Sequence, residues 1–162
     1  MRFPGALPAL LFLIAAAGAA PAQAKLDIRP YEAGAECGAH APQLYVTVSG
    51  VTPQGILAVE LYRPSKKDFL RKASRIHRIR VPAGSGEQTV CFDLPGAGVY
   101  ALAAYHDVDA DRDLDQRWNG MPAEPFALSN NEPLKFGFPK FEDAAFRVGE
   151  NGGVVRLELQ SR

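Results

Sequence analysis

The sequence is poor in the side chains on which most reactive sites are built. It has three histidines, two cysteines, two methionines and one tryptophan in 162 residues. No HExxH run is present, which excludes the zincin type of metalloprotease, and no CxxC pair is present, which argues against thiol–disulfide catalysis. There is no glycine-rich phosphate loop, no nucleophile elbow and no defensible serine–histidine–aspartate order. Net charge is lacking too. The 18 basic residues are matched by 18 acidic ones, so nothing favours nucleic acid as a partner. Internal repeats are absent, and beyond the N-terminus no apolar run is long enough to span a membrane.

What is present begins with a leader-like segment. Residues 1–24 carry one positive charge at Arg2, an apolar run over residues 7–20 and a small-x-small site, Ala22-Gln23-Ala24. This is the layout of a secretory signal peptide, with a retained N-terminal anchor as the alternative. Cleavage would leave residues 25–162 as one periplasmic or secreted domain, long enough to bury a core. An even cysteine count in an exported chain predicts a Cys37–Cys91 disulfide, and two buried thiols are the alternative. The bond would close a loop of about 55 residues, worth about 4 kcal/mol on the chain-entropy account.

Alternating apolar residues mark the chain as mostly strand. "QLYVTVSG" alternates Leu44, Val46 and Val48, and "GILAVELYR" alternates Leu57, Val59 and Leu61. "IHRIRV" and "QTVCFDL" flank the turn "PAGSG", and "AAFRVG" and "GVVRLELQ" flank "ENGG". "GVYALAAYH" is the strongest strand, with Val99, Ala101, Ala103 and Tyr105 expected to face the core. Seven short strands with regular turns predict an all-β, antiparallel sandwich of the immunoglobulin or prealbumin kind. One helical turn is expected at "SKKDFLRKA", where Ser65 and Asp68 fit a capping box. Residues 107–143 form a long connection rich in proline and aromatic residues. They carry too much apolar surface to stay in water, so the segment is expected to pack.

That connection opens with "YHDVDADRDLD", in which Asp107, Asp109, Asp111, Asp113 and Asp115 stand at every second position. A hard cation takes six to eight oxygens, and alternate side chains of a tight loop converge on one point. Asp107, Asp109 and Asp111 fill positions one, three and five of an EF-hand-type loop. Asp113 stands at seven, Leu114 at eight and Asp115 at nine. Two positions depart from that pattern: Arg112 replaces the glycine at six, and Trp118 the glutamate at twelve. Glu124 would supply the missing ligand by folding back. Weak calcium binding is the expectation, in the extracellular range of about 10⁻⁴ to 10⁻³ M. Zinc through His106 is the less suitable ion for such hard ligands, and a solvated loop with its aspartates pointing apart is the alternative to any cation.

Three runs resemble one family: "GAGVYALAAYHDVDADRDLD", "NGMPAEPFALSNN" and "GFPKFEDAAFRV". Together they are similar to an uncharacterised bacterial exported family, domain of unknown function 2141. The positions carrying the likeness include Gly98, Tyr100, His106, Asp107, Leu114 and Asp115. Glu124, Ser129, Asn130, Asn131, Phe141 and Asp143 carry it further. The resemblance implies one small exported β-domain and a polar loop, and no established activity.

Two function classes follow. One is a non-enzymatic exported module that is calcium-stabilised and binds a surface protein or glycan. Trp118 and Phe126 would form its contact patch if they are not core residues. The other is a hydrolase using carboxylates such as Asp115 and Glu124. The basic residues 63–80 read as a solvated face or as a contact for anionic lipid or glycan.

Overall fold

A computed structural model describes residues 25–40, 42–133 and 137–161; the leader-like segment 1–24 lies outside them. The described chain forms eight strands: β1 (Gln43–Val51), β2 (Ile56–Tyr62), β3 (Arg75–Pro82), β4 (Gly86–Asp93), β5 (Gly98–Asp107), β6 (Phe126–Leu128), β7 (Ala145–Val148) and β8 (Gly153–Glu158). Short helical turns stand at Pro30–Glu32 and Ser129–Asn131, and a four-residue helix α1 at Phe141–Ala144. One sheet runs β4-β1-β8, the other β3-β2-β5-β6, with β7 also paired to β5. The two sheets make the expected sandwich.

The core between the sheets is built by the alternation seen in sequence. Leu44, Val46 and Val48 of β1 meet Leu57, Val59 and Leu61 of β2, all fully buried. From β5 the contributors are Tyr100, Leu102 and Ala104. The expectation for β5 is therefore corrected: Ala101, Ala103 and Tyr105 are buried, but on the outer face, in a second cluster with Tyr62, Phe69 and Phe126. Both faces of β5 are apolar, so a period of two could not choose between them. The outer face is covered by Phe69 and Leu70 from one side and by Phe141 and Ala144 from the other. Edge-on contacts of Phe69 with Tyr62 (5.5 Å) and Phe141 (5.6 Å) hold that cover down.

Three further expectations change. The sandwich is not purely antiparallel, because β8 runs parallel to β1, with Val46 opposite Val155. β7 and β8 belong to different sheets, so "ENGG" carries the chain across the sandwich. Residues 65–73 form turns rather than a helix. Asp68 N does donate to Ser65 Oγ at 3.0 Å, but Leu70 at φ 60° lies outside helical backbone. An eighth strand, β6, lies inside the supposed connection.

β6 and β7 share one edge of β5: Ala101 pairs with Ala145, Ala103 with Leu128, and Leu102 falls in the gap. Its amide would be orphaned there. Ser129 Oγ accepts it at 2.9 Å and donates to Ala144 O. Asn130 Nδ2 donates to Asp143 O and Ala145 O, at 3.0 and 3.1 Å. Asn131 bonds both ways to β8, donating to Arg156 O and accepting from Glu158 N. The "SNN" run is thus a three-way fastener between β5, β7 and β8.

Cys37 and Cys91 are disulfide-bonded, with Cα atoms 5.4 Å apart. Ala35 N donates to Cys91 O at 2.8 Å, and Gln43 bridges Glu36 O to Asp93, so the bond ties residues 25–40 to β4. Among the described residues no helix is long and apolar enough to cross a membrane. Replacing both cysteines by serine should lower unfolding stability by about 4 kcal/mol on the chain-entropy account. Urea melts of the two proteins measure it, and equal midpoints would show that the bond adds nothing.

Candidate cation site in the acidic loop

β5 ends at Asp107, which is fully buried. What buries it is the turn between β1 and β2. Gly55 stands at φ 74°, and a Cβ there would lie 2.1 Å from Asp107 O, so only glycine permits the approach. Beside it, His106 Nε2 is hydrogen-bonded to Gln54 O at 2.6 Å. His106 thus secures the strand end.

The Asp107 carboxylate folds onto its own loop. Oδ1 accepts Asp111 N at 3.1 Å and Oδ2 accepts Arg112 N at 2.9 Å. Asp109 Oδ1 also accepts Asp111 N, at 3.2 Å, and Asp111 Oδ1 accepts Asp113 N at 2.9 Å. Such side-chain-to-backbone bonds are what let aspartate curl a chain tightly. Arg112, at the place of the EF-hand glycine, nevertheless takes the left-handed backbone that glycine would, with φ 82°. Its guanidinium reaches Glu32 at 2.8 and 3.2 Å and also donates to Asp27 O. Glu32 is paired in turn with buried Arg80, which donates to Tyr105 Oη at 3.0 Å and to Arg112 O at 2.6 Å. The cost of a side chain in that conformation, about 1 kcal/mol, is offset by these partners.

From Asp115 the chain makes a small hairpin. Arg117 N donates to Met121 O and Ala123 N to Asp115 O, at 2.8 and 2.7 Å. Trp118 sits at the tip, 99% exposed. Phe126, its supposed companion in a contact patch, is buried. The hairpin returns Glu124 to the loop's start, where Oε1 accepts Val108 N at 2.8 Å and Oε2 accepts Asp115 N at 3.2 Å.

The result is that Asp107, Asp109 and Glu124 each bring a carboxylate oxygen within 4.8 Å of the others. Among the described residues Asp111, Asp113 and Asp115 do not join them. The fold-back of Glu124 does occur, made by the hairpin between its ends, whereas the one-three-five spacing overstates the part of Asp111. Bare carboxylates pay for this convergence. Burial raises the Asp107 carboxyl above its ordinary range, and the charges of Asp111 and Asp109 add to that, against the Arg112 amide. Glu124 is raised by burial and by Asp107 and Asp115, against the amides of Val108 and Asp115. Three hard oxygens at this spacing, part-buried and mutually repelling, fit a hard divalent ion.

The family model described as uncharacterized protein conserved in bacteria, domain of unknown function 2141, matches residues 46–155. The chain belongs to this family. Searches of curated proteins and of solved structures returned no match. The matched span holds the three converging carboxylates, Gly55 and the "SNN" fastener. Reading the sequence did not single out Gly55 or Glu32. Glu32 gives no periodic signal, because its role depends on two arginines distant in sequence.

The pH dependence follows from opposite shifts. Asp107 and Glu124 bind protons more tightly folded than unfolded, so their favourable contribution is present at acid pH. It is lost as pH rises through and above the ordinary carboxylate range. Burial pushes Glu32 up, but the Arg29 amide, Arg112 and Arg80 outweigh it and hold it low. Its contribution is therefore present above that range and lost as pH falls below it. In chelator, Asp107→Asn should flatten the loss of stability on the high side and Glu32→Gln the loss on the low side. Urea melts across pH measure both slopes, and unchanged slopes would contradict these assignments.

Proposed function

We propose that this chain is an exported, non-enzymatic β-sandwich module whose acidic loop binds calcium. Binding would fix the hairpin that presents Trp118 to a surface protein or glycan. The observation that carries this reading is the convergence of Asp107, Asp109 and Glu124 within 4.8 Å. Two full charges at such a separation repel by roughly 1 to 3.5 kcal/mol between the dielectric of water and an effective value of 20. A cation turns that repulsion into attraction. Calcium suits the site better than zinc because its donors are carboxylates, and water and loop carbonyls would complete its six to eight oxygens. The disulfide supports an oxidising compartment, and the leader-like residues 1–24 support export. The exposed indole supports a docking role, since a large apolar side chain at a hairpin tip has little to gain there from folding alone.

Melting in calcium and in chelator tests the cation. At a Kd near about 10⁻⁴ M, about 10 mM calcium adds roughly 2.7 kcal/mol to the folded state. Asp107→Asn combined with Glu124→Gln should remove that gain, while Asp113→Asn should keep it. Identical wild-type curves in calcium and in chelator would refute the reading.

A further inference from the structure

The outer face of the five-stranded sheet holds a cavity of about 540 Å³, within the size range of small-molecule sites. Its floor is the sheet itself, with Glu60 and Tyr62 from β2, Arg75 and Arg78 from β3, and Tyr105 from β5. Glu60 is a lone acid in the otherwise apolar β2 and is nearly buried. It takes Arg75 Nη1 at 3.0 Å, Arg78 Nε and the Tyr62 hydroxyl. One carboxylate thus answers two guanidiniums. The floor keeps one positive charge in excess and, with five N–H donors on each arginine, more donors than Glu60 can accept. Both arginine side chains remain partly open, at 19% and 25% exposure.

The walls are of another character. Leu114 and Met121 come from the acidic loop and its hairpin, and Phe138 and Pro139 from the far side. Leu70 closes a third side, and it is held at φ 60°, a backbone strain that the surroundings must maintain. Asp113, exposed, is the wall's one acid. It disfavours a second negative group on any occupant.

We infer that the cavity binds a small amphiphile bearing a single carboxylate, its anionic head on Arg75 and Arg78 and its apolar body against Leu114, Met121 and Phe138. An arginine pair is the natural partner of a planar carboxylate, and the charge-assisted bonds formed away from bulk water are the strong kind. The apolar walls add affinity and exclude solvent, in the usual division of labour of such sites. The anionic head would sit on the sheet and not on the cation site, although Leu114 and Met121 of the walls belong to the loop and hairpin that the cation would fix.

Calorimetric titration with phenylbutyrate, phenylbutanol and phenylbutylamine separates head from body. The carboxylate should bind the wild-type protein about tenfold more tightly than the alcohol, and the amine should not bind. Arg78→Gln should lower carboxylate affinity about tenfold and leave the alcohol unchanged. Glu60→Gln should act in the opposite direction, tightening the carboxylate by releasing both arginines. Equal binding of the three head groups, or no binding of any, would overturn the inference. So would a Glu60→Gln protein that melts like wild type and binds the carboxylate more weakly. The head-group series needs no variant, so it decides even if a substitution prevents folding. Run both in calcium and in chelator, it answers separately from the calcium melts: a carboxylate preference in either condition carries the inference, and its absence in both overturns it.

Discussion

Everything at the acidic end of this molecule hangs on one buried carboxylate. Asp107 closes the last ladder position of β5, opposite Ile56, and is sealed by the turn through Gly55. From there its oxygens organise two amides of the loop, which in turn set the left-handed backbone at Arg112. A charge so placed needs compensation, since burial favours its neutral form. Hydrogen bonds supply part of it. The nearby carboxylates of Asp109 and Glu124 take it away again, and that imbalance is the physical basis for the cation proposed above.

A second constraint ties the loop to the rest of the sandwich. Glu32, Arg80 and Arg112 form a charged cluster that joins the N-terminal segment, β3 and the acidic loop. Buried ion pairs add little net stability but are costly to break, by about 3 to 5 kcal/mol when one partner is removed. Their worth is geometric. The cluster fixes where the loop leaves the sheet, while the disulfide at Cys37 and Cys91 fixes the segment that delivers Glu32. Arginine at the loop's sixth position is then a tether where glycine would only be permissive.

Much of this was legible in sequence, for identifiable reasons. Period-two alternation found seven of the strands, most plainly β1, where Leu44, Val46 and Val48 are fully buried and Tyr45, Thr47 and Ser49 between or beside them are not. The cysteine pair allowed only one bond. The loop's acidity and the return of Glu124 could be read because like charges in a row demand an explanation. What escaped was non-local. The three residues of β6 are too short for any periodicity, and the parallel pairing of β8 depends on which sheet β7 joins. The outward turn of Ala101, Ala103 and Tyr105 depends on cover supplied by Phe69, which precedes β5, and by Phe126 and Phe141, which follow it, none of them near in sequence. Arg75, Arg78 and Arg80 read as a solvated run, yet alternation in β3 points Arg78 and Arg80 to the sheet's outer face, where Glu60 and Glu32 wait. A single acid inside "ILAVELY" was the available signal for that pairing.

The most direct measurement is a crystal structure determined in calcium, with the ion identified by its anomalous scattering. The account predicts one ion touching oxygens of Asp107, Asp109 and Glu124 at about 2.3 to 2.6 Å, the calcium–oxygen distance. An ion held by Asp111, Asp113 and Asp115 instead, or the same three carboxylates bridged only by water at saturating calcium, would contradict it.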